Sequence, residues 1–381
     1  MKRLLLATMA LAVISAGCIR NSDERMPPID PPAGESRKSV VETLLEDMTP
    51  GEKIGQMLMV GIEGTELDGD TSLFLKEHRI GGVILFGRNI QNSQQASELS
   101  QGLQELNAGP PGVRMLIGTD QEGGRVNRLP GDEGRFPSAG MQAHDNNPDS
   151  VREAAGQMAA QLKGMGINLN FAPVLDINSN PDNPVIGDRA FGNNPETVSR
   201  MGLAFIQGTL DKGVIPVVKH FPGHGDTLVD SHTELPVVSH SMERLAGFEL
   251  IPFEEAIKNR APAIMSAHIL LDKLDRDYPA TLSAPVITGI LRERMGFDGV
   301  VVSDDLDMGA ITGLYSPGEA AVRAVKAGVD ILLVGHSREG MLEVFDALTN
   351  AVKSGNISEE VIDSAVLRIL TMKERFGLAD R

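Results

Sequence analysis

Eight short runs of apolar, largely β-branched residues recur along the chain, at 57–61, 83–86, 115–118, 169–174, 214–218, 263–267, 300–303 and 331–335. They are too uniformly apolar for strands with one wet face, so both faces must be buried. Between them lie segments with the 3.6-residue period of amphipathic helices, among them 96–106, 151–162, 198–210, 250–258, 286–295 and 319–327. No Gly/Ser-rich or Pro-rich linker interrupts the alternation. Parallel strands need crossovers of this length, and an amphipathic segment at 359–376 can close a ring. The pattern therefore predicts an α/β fold, a single (β/α)8 TIM-type barrel over residues 39–381.

Such a barrel carries its chemistry at the carboxyl ends of its strands. Charged residues gather there. Strand three runs into Asp120, Gln121, Glu122, Gly123, Gly124 and Arg125, strand four towards Asp176, strand five into Lys219 and His220, strand six into His268, and strand seven into Asp304 and Asp305. Any one of these reads equally well as a cap or an ion pair; five strand ends in agreement point to a site.

The densest segment is KHFPGHGDTLVDSH at 219–232, with three histidines, two aspartates and a lysine in fourteen residues. Pro222, Gly223 and Gly225 break any helix, so the polar groups hang from a loop, where functional side chains concentrate. In an extended segment side chains i and i+2 project to one side, so Asp230 is expected to orient the His232 imidazole. Histidine titrates near neutrality and can both give and take a proton. In VVVSDDLDM, Asp304 follows a buried strand, where a carboxylate can stay ionised and attack an electrophilic carbon. Asp305 and Asp307 are alternatives, one of them expected to bond the following turn. His224 is expected to anchor the loop, and His268 and Glu122 to support the site. His78, His144, His240 and His336 are expected in surface or structural roles.

The first seventeen residues read as a signal peptide: Lys2 and Arg3, then an apolar run too short to span a membrane, then small residues. Cys18, the only cysteine, follows directly and resembles the lipidation site of a bacterial lipoprotein, although Ser15 stands where leucine is usual. Lipidation at Cys18, with 18–38 as a flexible tether, predicts an exported protein anchored at the bacterial cell envelope. One cysteine excludes an internal disulfide. Losing Lys2 and Arg3 with the leader takes the formal charge from −17 to −19, which argues against nucleic acid and against electrostatic attraction to anionic lipid. The chain has no tryptophan and two tyrosines, so a long cleft lined by stacking aromatic faces is not expected. A small pocket that grips its ligand through charged hydrogen bonds fits better.

The segment ILRERMGFDGVVVSDDLD, at 290–307, resembles the signature of family 3 glycoside hydrolases, and KHFPGHG followed by DSH is similar to the β-N-acetylglucosaminidase branch. The resemblance covers nearly all of the chain after residue 38. It implies a retaining exo-enzyme, without cofactor or metal, that removes terminal N-acetylglucosamine from muropeptides or chitooligosaccharides. It further implies Asp304 as nucleophile and His232 with Asp230 as the acid/base dyad. DQEGGRVNR, GDRAFG and KH carry the implied sugar contacts, Asp120, Arg128, Arg189, Lys219 and His220. Family members with another sugar specificity often append a second α/β domain that supplies the acid/base. This chain ends soon after its eighth unit, so the acid/base is expected from the barrel itself.

Three rivals remain open. A metal-dependent hydrolase could use His220, His224, His232 and Asp304, but H-x3-H presents two ligands on one face only in a helix, which Pro222 forbids. A saccharide-binding lipoprotein is expected to lack a nucleophile or an acid/base, and neither is missing. Phosphorolysis could compete with hydrolysis, because a deprotonated histidine repels phosphate less than a carboxylate does.

Overall fold

The computed structural model describes residues 39–107, 112–131 and 135–379. Cys18, the leader and the 18–38 segment lie outside them. The strands are β1 Leu58–Gly61, β2 Gly82–Ile84, β3 Leu116–Thr119, β4 Leu169–Asn170, β5 Ile215–Phe221, β6 Ala263–Ser266, β7 Val300–Val302 and β8 Leu332–Val334. Each is buried along its whole length. Neighbours are parallel in the order β8-β1-β2-β3-β4-β5-β6-β7. The ring closes where Val302 bridges Ile331 and the Ser303 N–H donates to Ile331 O at 2.8 Å. The expected barrel is present.

Two strands end three or more residues from where they are expected. The run at 169–174 pairs only as Leu169–Asn170, because Pro173 has no N–H to give to a ladder, and the chain rejoins β5 at a Val174–Lys219 bridge. Strand β5 instead runs on to Phe221 and so includes Lys219 and His220.

Helices Ser93–Leu106, Pro148–Gly164, Pro195–Leu210, Ile251–Lys258 and Pro317–Ala327 lie where the periodicity put them. Three of these open on one device, a cap residue (Asn147, Asn194, Ser316) followed by a proline that presets the first helical φ and has no N–H to leave unpaired. The segment expected as a helix at 286–295 is wound as a π-helix, Pro285–Arg294. Gly69–Glu77 and Arg338–Lys353, not picked out by the periodicity, are further helices of the outer layer. Helix Glu359–Arg375 packs on Val40–Asp47 and Pro50–Gln56. From it the buried Lys373 donates to Gln56 Oε1 at 2.7 Å and to Gly81 O at 2.9 Å, beside the start of β2. Among the described residues no helix is long and apolar enough to cross a membrane.

Candidate active site

The floor of the site is two cations set against two carboxylates. Lys219 Nζ, on β5, lies 2.6 Å from Asp120 Oδ1 and 2.7 Å from Glu122 Oε1. Arg189, on the single turn Gly187–Arg189, donates Nε and Nη2 to the two oxygens of Glu122, both at 2.8 Å. Burial alone would raise the Glu122 carboxyl, but Lys219 and Arg189 outweigh it and hold the pKa far below the carboxylate range. Burial likewise disfavours charge on Lys219, yet Asp120 and Glu122 raise its pKa, so it stays charged at 2% exposure. Gly123 and Gly124, at φ +94° and +60°, turn the chain straight after Glu122. A Cβ there would fall 2.4 Å from Pro137 O and 2.6 Å from Ser138 Cβ. Two groups are left for a ligand: Asp120, whose one hydrogen bond among the described residues is on Oδ1, and Arg128, whose guanidinium has no partner among them. Both line the cavity.

A buried chain of hydrogen bonds runs from this floor to the loop after β5. Asp176 Oδ2 bonds His220 Nδ1 at 2.6 Å, and its Oδ1 accepts the backbone N–H of His224 at 2.7 Å. His224 then bonds Thr227 Oγ1 through Nδ1 at 2.9 Å and Ser231 Oγ through Nε2 at 3.0 Å. It anchors the loop with both nitrogens, as expected. Asp230 and His232 do meet, but not by extended alternation. The chain turns, with the N–H groups of Thr233 and Glu234 donating to Asp230 O. Asp230 Oδ1 accepts His232 N–H at 2.9 Å and bonds His232 Nδ1 at 2.6 Å. This is an Asx turn, which aspartate favours because its short side chain reaches the N–H two residues on. Burial raises the Asp230 carboxyl, but the His232 N–H and imidazole bring it below its ordinary value. The loop is stitched down beyond the dyad: Ala310 and Gly309 donate their N–H groups to Ser231 O and His232 O at 3.2 and 3.1 Å.

The three aspartates after β7 separate by their partners. Asp307 accepts the N–H groups of His336 and Ser337 at 2.7 and 2.9 Å, and Asp305 accepts those of Asp307 and Gly335, both at 3.0 Å. Both therefore secure backbone beyond β7 and β8, a longer reach than the single turn expected. Among the described residues the Asp304 carboxylate accepts only the Asp305 N–H, at 2.8 Å, and it lines the cavity. Burial raises its pKa, but His268, His220, the Asp305 N–H and Lys219 together lower it, so the carboxyl is ionised at neutral pH. Burial and the nearby charges of Asp307 and Asp304 push Asp305 up to about 7. His268 sits wholly buried beneath, bonding Asp305 O at 3.0 Å and Thr281 Oγ1 at 2.9 Å.

Asp120, Arg128, Arg189, Lys219, His220, His232 and Asp304 thus line one cavity of about 180 Å³, with Asp230 behind His232. Among the described residues no group of three or more His, Cys, Asp or Glu side chains is arranged to hold a metal ion. Residues 49–372 match the family model described as Glycosyl hydrolase family 3 N terminal domain. The chain belongs to glycoside hydrolase family 3. A solved family 3 β-N-acetylglucosaminidase from Paenibacillus sp. str. FPU-7 is 45% identical, with a TM-score of 0.85 over 87% of this chain and 63% of that one. The β-hexosaminidase LpqI of Mycobacterium tuberculosis is 34% identical over 86% of this chain and 83% of its own length. Its structure gives a TM-score of 0.80 over 89% of this chain and 97% of that one. Beta-hexosaminidase A of Pseudoalteromonas piscicida is 35% identical, and the match spans 56% of that protein's length.

Of the histidines expected in surface or structural roles in this family 3 barrel, His336 lies at the site and His240 takes a structural role. His336 follows Gly335 at the end of β8 and lines the cavity; its strand-end position was the available signal. His240 lies 3.0 Å from Asp226 and 3.6 Å from the buried Glu249, at the base of the loop after β5. No local motif marks it.

Proposed function

We propose that the protein is a retaining exo-β-N-acetylglucosaminidase acting on muropeptides or chitooligosaccharides. One observation carries the reading: an ionised Asp304 shares a pocket with an imidazole whose Nδ1 is held by a carboxylate, leaving Nε2 for the substrate. Asp304 attacks the anomeric carbon while His232 Nε2–H protonates the departing oxygen, giving a covalent glycosyl-enzyme. His232, now neutral, takes a proton from water, which displaces Asp304 and restores the starting state. Asp230 stabilises the imidazolium at the first step. Asp120 accepts from sugar hydroxyls, and Arg128, Lys219 and Arg189 supply positive charge. The pocket's 180 Å³ is below the roughly 300–1,000 Å³ of sites for drug-sized ligands, which supports capture of one terminal ring. The names of the relatives support β-N-acetylglucosaminide as substrate.

The test is release of 4-nitrophenol from its β-N-acetylglucosaminide, with mass spectrometry of enzyme trapped by a slow fluorinated analogue. Label on the peptide containing Asp304 is expected, and its loss in Asp304→Asn. A variant with near-normal turnover overturns the nucleophile assignment. Export and lipidation at Cys18 are part of the same proposal, supported by the leader and the lone cysteine. Membrane association that survives Cys18→Ala counts against the anchor.

A further inference from the structure

The catalytic pocket has a neighbour. His336 lines the pocket and also a second cavity of about 360 Å³, formed at the ends of β1 and β8 against helix Gly69–Glu77. It stands as a partition between them. Its ring stacks on Phe86 with centroids 4.8 Å apart, and its Nε2 lies 3.5 Å from Asp305 Oδ2. Arg88 braces it, with Nη1 3.4 Å from His336 Nδ1 and Nη2 donating to Gly335 O at 3.1 Å. Burial and then the Arg88 charge lower its pKa, and His232 lines the same pocket as His336. The oxygen that His232 protonates must lie beside that imidazole. With the first sugar on the Lys219–Asp120 floor, whatever is attached to that oxygen leaves on the His336 side.

We propose that this second cavity receives the leaving-group residue of the substrate, and that it takes a neutral or amine-bearing hexosamine in preference to a carboxylate-bearing one. The proposal rests on the exo-glycosidase reading above. The cavity is twice the volume of the catalytic pocket, which gives room for a second ring. Its charges are Glu63, Asp68 and Asp70 against Arg338. Both oxygens of Asp68 are taken by Thr71, as a helix cap. The Asp70 carboxylate has no partner among the described residues, and Glu63 has only Arg88 at 3.6 Å. Arg338 is spread over the Phe74 ring at 4.9 Å and donates to Asp70 O at 2.9 Å. Hydroxyl, amide and ammonium groups therefore meet spare acceptors. A lactyl carboxylate meets two exposed like charges.

The experiment compares kcat/KM for three substrates: 4-nitrophenyl β-N-acetylglucosaminide, N,N′-diacetylchitobiose, and the disaccharide whose second residue carries a 3-O-lactyl carboxylate. The ratio of the two disaccharides cancels any effect at the first sugar. In the wild type the neutral disaccharide is expected to lead by about fivefold, the scale of an exposed charge pair. Glu63→Gln with Asp70→Asn is expected to bring the ratio towards one, while Glu153→Gln on a distant helix leaves it. A wild-type ratio at or below one, or a ratio the double variant does not move, overturns the subsite alone. Failure to cleave the aryl glycoside overturns the glycosidase reading, and the subsite with it.

Discussion

At the residue scale, Glu122 sits between the two cations of the cavity floor, Arg189 and Lys219. It bonds Arg189 at both oxygens and Lys219 at one, at 5% exposure. Glu122→Gln leaves Arg189 buried without its carboxylate partner and Lys219 with Asp120 alone, so a loss of about 3–5 kcal/mol in urea unfolding is expected, together with loss of turnover. The sequence placed Glu122 correctly near the site but could not rank it above Asp120, since both lie in DQEGGR and only their partners differ. His232 gives a kinetic prediction. Its replacement by alanine should spare the first step for aryl glycosides with acidic phenols, which need little protonation, and slow it for alkyl glycosides by roughly 10²–10⁴-fold. Equal slowing across a leaving-group series would count against its acid role. Asp305 gives a pH prediction. Its folded pKa of about 7 lies above the ordinary 3.8, so its protonated form adds stability that is full below about pH 4 and lost as pH rises through 7. Asp305→Asn should therefore gain stability relative to wild type between pH 5 and 8 in denaturant titrations; a constant difference would sink the claim.

At the scale of elements, the loop that carries the proposed acid/base is fixed at three levels: His224 to Ser231, Asp230 to His232, and Ser231 and His232 to the backbone of residues 309–310. Gly309 matters because a Cβ there would fall 2.8 Å from both His232 O and Thr233 O. Gly309→Ala should push the dyad off its position, lowering kcat by roughly tenfold or more with little change in melting temperature. Unchanged kcat would show that the dyad tolerates the shift. The loop's content was legible in the sequence, but its conformation was not. DSH satisfies either an extended alternation or an Asx turn, and the turn wins because the same Asp230 oxygen serves both the backbone N–H and the ring of His232. The shortening of β4 was legible in principle at Pro173. The π-winding of Pro285–Arg294 had no comparable marker, since its apolar spacing also suits an ordinary helix.

For the whole molecule, eight uniformly apolar runs separated by amphipathic segments admit few solutions besides a closed parallel barrel, which is why the architecture could be read without knowing any contact. What local pattern could not show were long-range pairings such as Lys373 with Gln56 and Gly81. Burial lowers the pKa of this lysine from 10.5 to about 7. Between pH 7 and 10.5 the unfolded chain holds a proton that the folded one sheds, so folding gains stability from this group as pH rises, by up to about 1.4 kcal/mol per pH unit. Lys373→Met should flatten that slope in unfolding measured from pH 7 to 9.5; an unaltered slope would mean the lysine is folded in its charged form. The bonds from Gly309 and Ala310 to the loop at 231–232 have a further consequence. Asp304 and His232, the proposed nucleophile and proton donor, arise 72 residues apart, yet they ride on segments that grip each other. They form one transplantable cassette: a chimera that exchanges residues 226–236 with another family member must bring that donor's equivalent of 304–312 as well, or it will carry both reactive groups and align neither.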